Sequence, residues 1–115
     1  MLKTHKLTKN YLFRRIYHRG KSELAPTIVL YYHKKPKHKL NYLGLTASKK
    51  VGGAVQRNRA RRVILESYRL LEPTIETGYT FVIVARTKAA SVKMQVVKDD
   101  LCRLLGKIGA LAHEK

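Results

Sequence analysis

The sequence predicts an α+β fold, a two-layer α-β sandwich with the order α-β-β-(β)-α-β-α, the bracketed short strand being optional. Three observations lead there. Apolar residues recur at helical spacing in three segments, and β-branched or aromatic runs occupy Thr27 to His33, Asn41 to Ala47 and Tyr79 to Arg86. With 115 residues and 44% apolar content the chain fits one domain, residues 1–115, with a modest core.

The first helix is expected to start near Thr8 as its cap and to end at about Arg19, before Gly20. Leu7, Tyr11 and Leu12 with Ile16 give its apolar spacing; Phe13 and Tyr17, four apart, share a neighbouring face. Between the first two strands, Lys34 to Lys39 reads as a basic hairpin loop containing Pro36. The second helix should run from Ala54 to Leu71 and stop before Pro73. Tyr79 to Arg86 is almost continuously apolar, the pattern of a strand buried on both faces. Ser91 is expected to cap a last helix reaching Ala110, with Val92, Val96, Val97, Leu101, Leu104, Leu105 and Ile108 as its core stripe.

Charge narrows the function. Twenty-five Lys and Arg against seven acids give a formal net charge of +18, the footprint of a nucleic-acid binder. Residues 1–69 hold 18 of the basic side chains and two acids, so the field sits in the N-terminal three fifths. A membrane-surface protein would need a long amphipathic helix and no other core, and no apolar run is long enough for a signal peptide or a membrane span. The single Cys102 precludes an internal disulfide and fits a reducing cytoplasm. His5, His18, His33, His38 and His113 lack ligand spacing with Cys or carboxylates, so no metal site is expected from the protein alone. Asp99 and Asp100, the only acidic pair, would point about 100° apart on a helix and do not converge as paired catalytic carboxylates would.

The densest positive charge lies from Lys49 and Lys50 through Arg57, Asn58, Arg59, Arg61 and Arg62, with Arg69 two turns further on. At 100° per residue, Ala60, Val63, Ile64, Ser67, Leu70 and Leu71 form one side of the helix. Asn58, Arg61, Arg62 and Arg69 fall opposite, with Arg57 and Arg59 flanking and Leu65 in the middle of the basic face. Like charges this close repel, and Glu partners at i±4 are nearly absent, so an external polyanion is implied. The helix N-terminus adds partial positive charge, and Gly52 and Gly53 would let the backbone approach a phosphate closely. Arginine also favours bidentate phosphate contacts and stacking on bases.

The run Ser48-Lys49-Lys50-Val51-Gly52-Gly53-Ala54-Val55-Gln56-Arg57-Asn58-Arg59-Ala60-Arg61-Arg62 resembles the signature of the bacterial ribonuclease P protein component. Leu7 through Ser22, Leu43 to Thr46 and Tyr79 to Arg86 are similar to other parts of that family. The resemblance implies a left-handed βαβ crossover, against the usual rule. It implies a protein partner for a catalytic RNA that removes the 5′ leader of precursor transfer RNA, with Mg²⁺ held mainly by the RNA subunit. Lys49, Lys50, Arg57, Asn58, Arg59, Arg61, Arg62 and Arg69 would contact RNA, and Phe13, Tyr17, Tyr31 and Thr46 would line a cleft for the single-stranded leader. Catalytic residues are expected in the RNA and none in the protein. The sequence departs from the family at Leu65, where a basic residue is common; Arg69 would partly compensate. Protein oligomerisation is not required.

Composition alone would also suit a ribosomal protein or a general RNA chaperone. Extended basic tails are usual there, whereas the segment before Lys6 is short and the C-terminal part is nearly neutral. A DNA-binding helix module would need a two-helix recognition motif or a dimer seam, and neither is visible.

Overall fold

The computed structural model describes residues 3–35 and 37–112. Pro36 and His113 therefore lie outside the described residues. Eight principal elements follow one another: β1 (Thr4–Lys6), α1 (Asn10–Arg19), β2 (Lys21–Leu24), β3 (Ile28–Lys34), β4 (Asn41–Ala47), α2 (Ala54–Leu71), β5 (Tyr79–Ala85) and α3 (Met94–Lys107). The five strands form one sheet in the order β1-β4-β5-β3-β2. β4 and β5 are parallel neighbours joined through α2, and β3 runs antiparallel to β5.

The most apolar strand takes the centre. Phe81, Val82 and Ile83 on β5 are fully buried, because helices cover both faces of the sheet. Leu30, Leu43, Phe81 and Ile83 point toward α2 and α3, where Ile64, Tyr68, Leu101 and Leu105 complete the larger core. Val82, Tyr31 and Val84 point the other way and pack under Leu12, Phe13 and Ile16 of α1. The predicted sandwich is thus present, and α1 lies alone across the second face.

Several expectations need correction. β3 and β4 do not form a hairpin, because β5 lies between them and pairs with both. β1 and β2 are a pair of short strands where one was allowed for; at three and four largely polar residues they carry little pattern of their own. Thr8 is not the α1 cap: Leu7 N–H still bonds Leu43 O at 2.8 Å, so the chain stays extended and the N-cap passes to Lys9. Tyr11 is 57% exposed and off the core. Ser91 closes a short 3₁₀ turn, its hydroxyl donating to Lys88 O, and α3 starts at Met94 and ends at Lys107. Val96 on α3 and Leu70 on α2 face solvent, and Tyr68 takes the core position in place of Leu70. Each is the edge residue of a stripe whose other members are buried or packed on the core, about one residue, or 100°, beyond the contact.

Buried polar groups lock the ends of the sheet. Asn41 donates to Glu76 O and accepts from the Tyr79 N–H, which holds the segment leading into β5. Thr4 and Tyr68 share a 2.9 Å hydroxyl bond that ties β1 to α2. Burial pushes the Tyr68 phenol up to about 12. The fold therefore favours the neutral phenol: the contribution is complete below the unfolded value near 10 and is lost as pH rises through about 12. We expect Tyr68→Phe to lower stability by about 1 kcal/mol at neutral pH. The same variant should lack part of the alkaline loss, on the order of 2 kcal/mol. Paired urea melts from pH 8 to 12 check this; parallel curves for the two proteins would refute it.

Candidate nucleic-acid interface

α2 begins with the geometry an anion needs. Ser48 accepts from the Lys50 N–H and starts the 3₁₀ turn Lys49–Val51. Gly52 then takes φ +141°, a conformation that side-chain-bearing residues rarely adopt, and redirects the chain. Gly53 follows as the N-cap with ordinary φ and no side chain to cap the first turn. The first-turn N–H groups point outward with no acid beside them.

The predicted basic residues do not all behave alike. Arg62 and Asn58 are exposed, and Arg61 is half-buried with its guanidinium donating to Asn58 Oδ1. Arg57 is half-buried, and its buried Nε has no hydrogen-bond partner. Arg59 donates to Ala90 O at 3.0 Å and Val92 O at 3.3 Å, so part of its guanidinium fastens α2 to the segment before α3. Arg69 sits 3.6 Å from Glu66 in an exposed pair, the sole rake arginine bonded to a carboxylate among the described residues. Such a pair is worth under about 1 kcal/mol and yields readily to a phosphate.

Leu65 is not in the middle of the solvated face. It is half-buried against the core and lines a cavity of about 570 Å³ with Arg61, Phe13, Leu43 and Leu45. Leucine suits this wall, which explains why the helix carries no charge there.

Three of the four residues expected to line a cleft share one cavity. Phe13, Tyr17 and Thr46 line one open cavity of about 490 Å³, joined by Asn10 and Arg14. Tyr31 is behind it: its ring meets Tyr17 edge-on with centroids 4.8 Å apart and props that ring from the sheet. Tyr17 stays 39% exposed, so part of its ring is open to the cavity. Gly44 leaves the space that Phe13 fills, since a Cβ there would lie 2.5 Å from the Phe13 ring. Phe13 is the shared wall of this cleft and of the cavity holding Arg61, which makes the aromatic surface continuous with the arginine helix. Asn10 and Arg14 are additional lining residues beyond those expected, and the spacing 10, 13, 14, 17 marks the one helix face they share with Phe13 and Tyr17.

The acids serve structure. Asp100 accepts from the Thr27 N–H and hydroxyl and from Arg103, whereas Asp99 accepts from Gln95. The two carboxylates do not converge. Cys102 is a half-buried free thiol against the core. No helix among the described residues is long and apolar enough to cross a membrane.

Comparison with known proteins agrees over the whole architecture. A family model described as Ribonuclease P matches residues 1–109. The ribonuclease P protein component of Clostridium acetobutylicum is 37% identical over 115 residues, covering 99% of this chain and 97% of the relative. The solved RNase P protein of Staphylococcus aureus superimposes with a TM-score of 0.81 at 27% identity, covering 92% of this chain and 96% of that one. The RNase P protein of Thermotoga maritima does so with a TM-score of 0.75 at 26% identity, covering 90% and 96%. With its signature on α2, its five-stranded sheet and its likeness running end to end, the chain belongs to the ribonuclease P protein family.

Proposed function

We propose that this chain is the protein subunit of a ribonuclease P, an endoribonuclease that removes the 5′ leader of precursor transfer RNA. It works in the cytoplasm as one RNA-binding domain, without a membrane and without protein oligomerisation. α2 binds the catalytic RNA subunit through Arg57, Asn58, Arg61, Arg62 and the Lys49–Lys50 turn, with Arg59 and Arg69 contributing what their internal bonds leave free. The cleft of Phe13, Tyr17 and Thr46, propped by Tyr31, takes the single-stranded leader. The observation carrying this reading is the shared Phe13 wall, which puts a stacking surface beside the arginine helix. Aromatic stacking tolerates sequence variation, as leaders of different precursors require.

Bond cleavage belongs to the RNA. Among the described residues no three of His, Cys, Asp and Glu come together to hold a metal, so the chain's own donors do not compose a cage for Mg²⁺. Mg²⁺ is assigned mainly to the RNA subunit, where it would supply charge stabilisation. The protein's part is to orient the leader and neutralise phosphates near it.

Mixing the pure chain with precursor transfer RNA, with and without the RNA subunit, tests the division of labour. Cleavage is expected only with the RNA subunit; cleavage by the protein alone would overturn it. Tyr17→Ala in the assembled complex should weaken precursor binding by about 1–3 kcal/mol while sparing mature transfer RNA. Equal losses on both would point to misfolding.

A further inference from the structure

α1 lies across the sheet and leaves space on both of its sides. Strand register sets three rungs beneath it: Val29–Val84–Thr46, Tyr31–Val82–Gly44 and His33–Thr80–Tyr42. Phe13 and Ile16 sit over the middle rung. The Thr46 rung opens into the aromatic cleft, and the His33–Thr80–Tyr42 rung lines a separate cavity of about 400 Å³. Helical periodicity divides α1 to match: Phe13, Arg14 and Tyr17 serve the first groove, whereas Leu12, Arg15, Ile16 and Arg19 serve the second.

The chemistry of the second groove is that of a nucleotide site. Leu12 and Ile16 supply an apolar wall, and the Tyr42 ring is 37% exposed beside it. Arg15, Arg19 and Lys35 surround that wall, joined by the imidazoles of His33 and His38. Among the described residues no carboxylate lines the groove, and none of the three ion pairs involves its cations. Cations gathered around an apolar, partly aromatic wall complement a polyanion that also carries flat bases.

We propose that this groove is a second subsite for single-stranded RNA, holding leader nucleotides that lie 5′ of those in the aromatic cleft. The inference rests on the leader reading above. Arg14 lines the first groove and its neighbour Arg15 the second, so consecutive guanidiniums carry the phosphate chain over the helix, past exposed Tyr11 and His18. The outer rungs are four residues apart on each strand, roughly 13 Å, a gap that a short run of nucleotides crosses. No α2 residue lines either groove; the aromatic cleft shares the Phe13 ring with the Arg61 cavity, whereas the second groove shares only the aliphatic Leu7, so the second is set toward the leader's free end.

The test uses the complex of protein and RNA subunit with precursor transfer RNAs whose leaders shorten one nucleotide at a time. Arg15 and Arg19 are exposed, so the double variant Arg15→Ala/Arg19→Ala should retain its fold. It should bind long-leader precursors roughly tenfold or more weakly. Its log–log salt slope should be smaller in magnitude by about 0.7 per lost contact. Below a threshold leader length this penalty should vanish, while the Tyr17→Ala penalty persists. A penalty that is absent, or equal at every leader length, overturns the second subsite while a length-dependent Tyr17→Ala leaves the first cleft standing. If Tyr17→Ala also ignores the leader, both readings fall together.

Discussion

Replacing Arg57, Arg61 and Arg62 together with alanine is expected to weaken the complex with the RNA subunit by about a thousandfold, near tenfold for each charge-assisted contact. The three residues lie within two turns of one helix, and no internal carboxylate neutralises any of them among the described residues. The salt slope should fall in magnitude by about 2 to 3 in total. Stability should respond in the opposite direction. The variant removes three like charges and the buried, unpartnered Nε of Arg57, so its melting temperature should hold or rise. Binding titrations over a salt series, paired with thermal melts, check both effects. A variant that loses stability and affinity together would show that these arginines support the fold.

Gly44→Ala is the second large effect. The new Cβ would lie 2.5 Å from Cε1 and Cζ of Phe13 and 3.3 Å from Leu7 Cδ2. Contact that close does not persist, so the Phe13 ring must leave its seat over the middle rung. Overpacking of this kind costs roughly 1–3 kcal/mol, which for a domain of this size lowers the melting temperature by several degrees. The displaced ring is also the wall between the aromatic cleft and the Arg61 cavity, so leader-dependent affinity should fall with it. Phe13→Leu in the same chain should return much of the stability without returning leader affinity, because leucine relieves the clash but cannot stack. A double-mutant cycle with coupling near zero would show that the two residues do not meet in solution.

Both variants probe places where sequence and tertiary structure contributed differently. The arginine helix was readable because its signals are local. The bounds of α2 follow from Gly53 before it and Pro73 beyond it, and β4 likewise ends where its turn-forming residues begin. The cleft residues Phe13 and Tyr17 were legible through their i, i+4 spacing with the family resemblance beside it. Arg59 was legible as a cation, but its bonds to Ala90 and Val92 join residues more than thirty positions apart, and no local pattern records them.

What the sequence by itself determined, then, is chemical and periodic: a polycationic helix, a twice-buried central strand, a single cysteine, and few acids against many bases. Which surfaces those elements share was decided by the sheet. Inserting β5 between β3 and β4 removes the expected hairpin and brings Thr46, Val84 and Val29 onto one rung. Laying α1 over the next rung turns one sheet face into two grooves and makes Phe13 common to the cleft and the arginine side. Strand order and register are choices among long-range pairings of similar local energy. They are settled by which arrangement buries the most apolar surface at once, a quantity that no single segment carries.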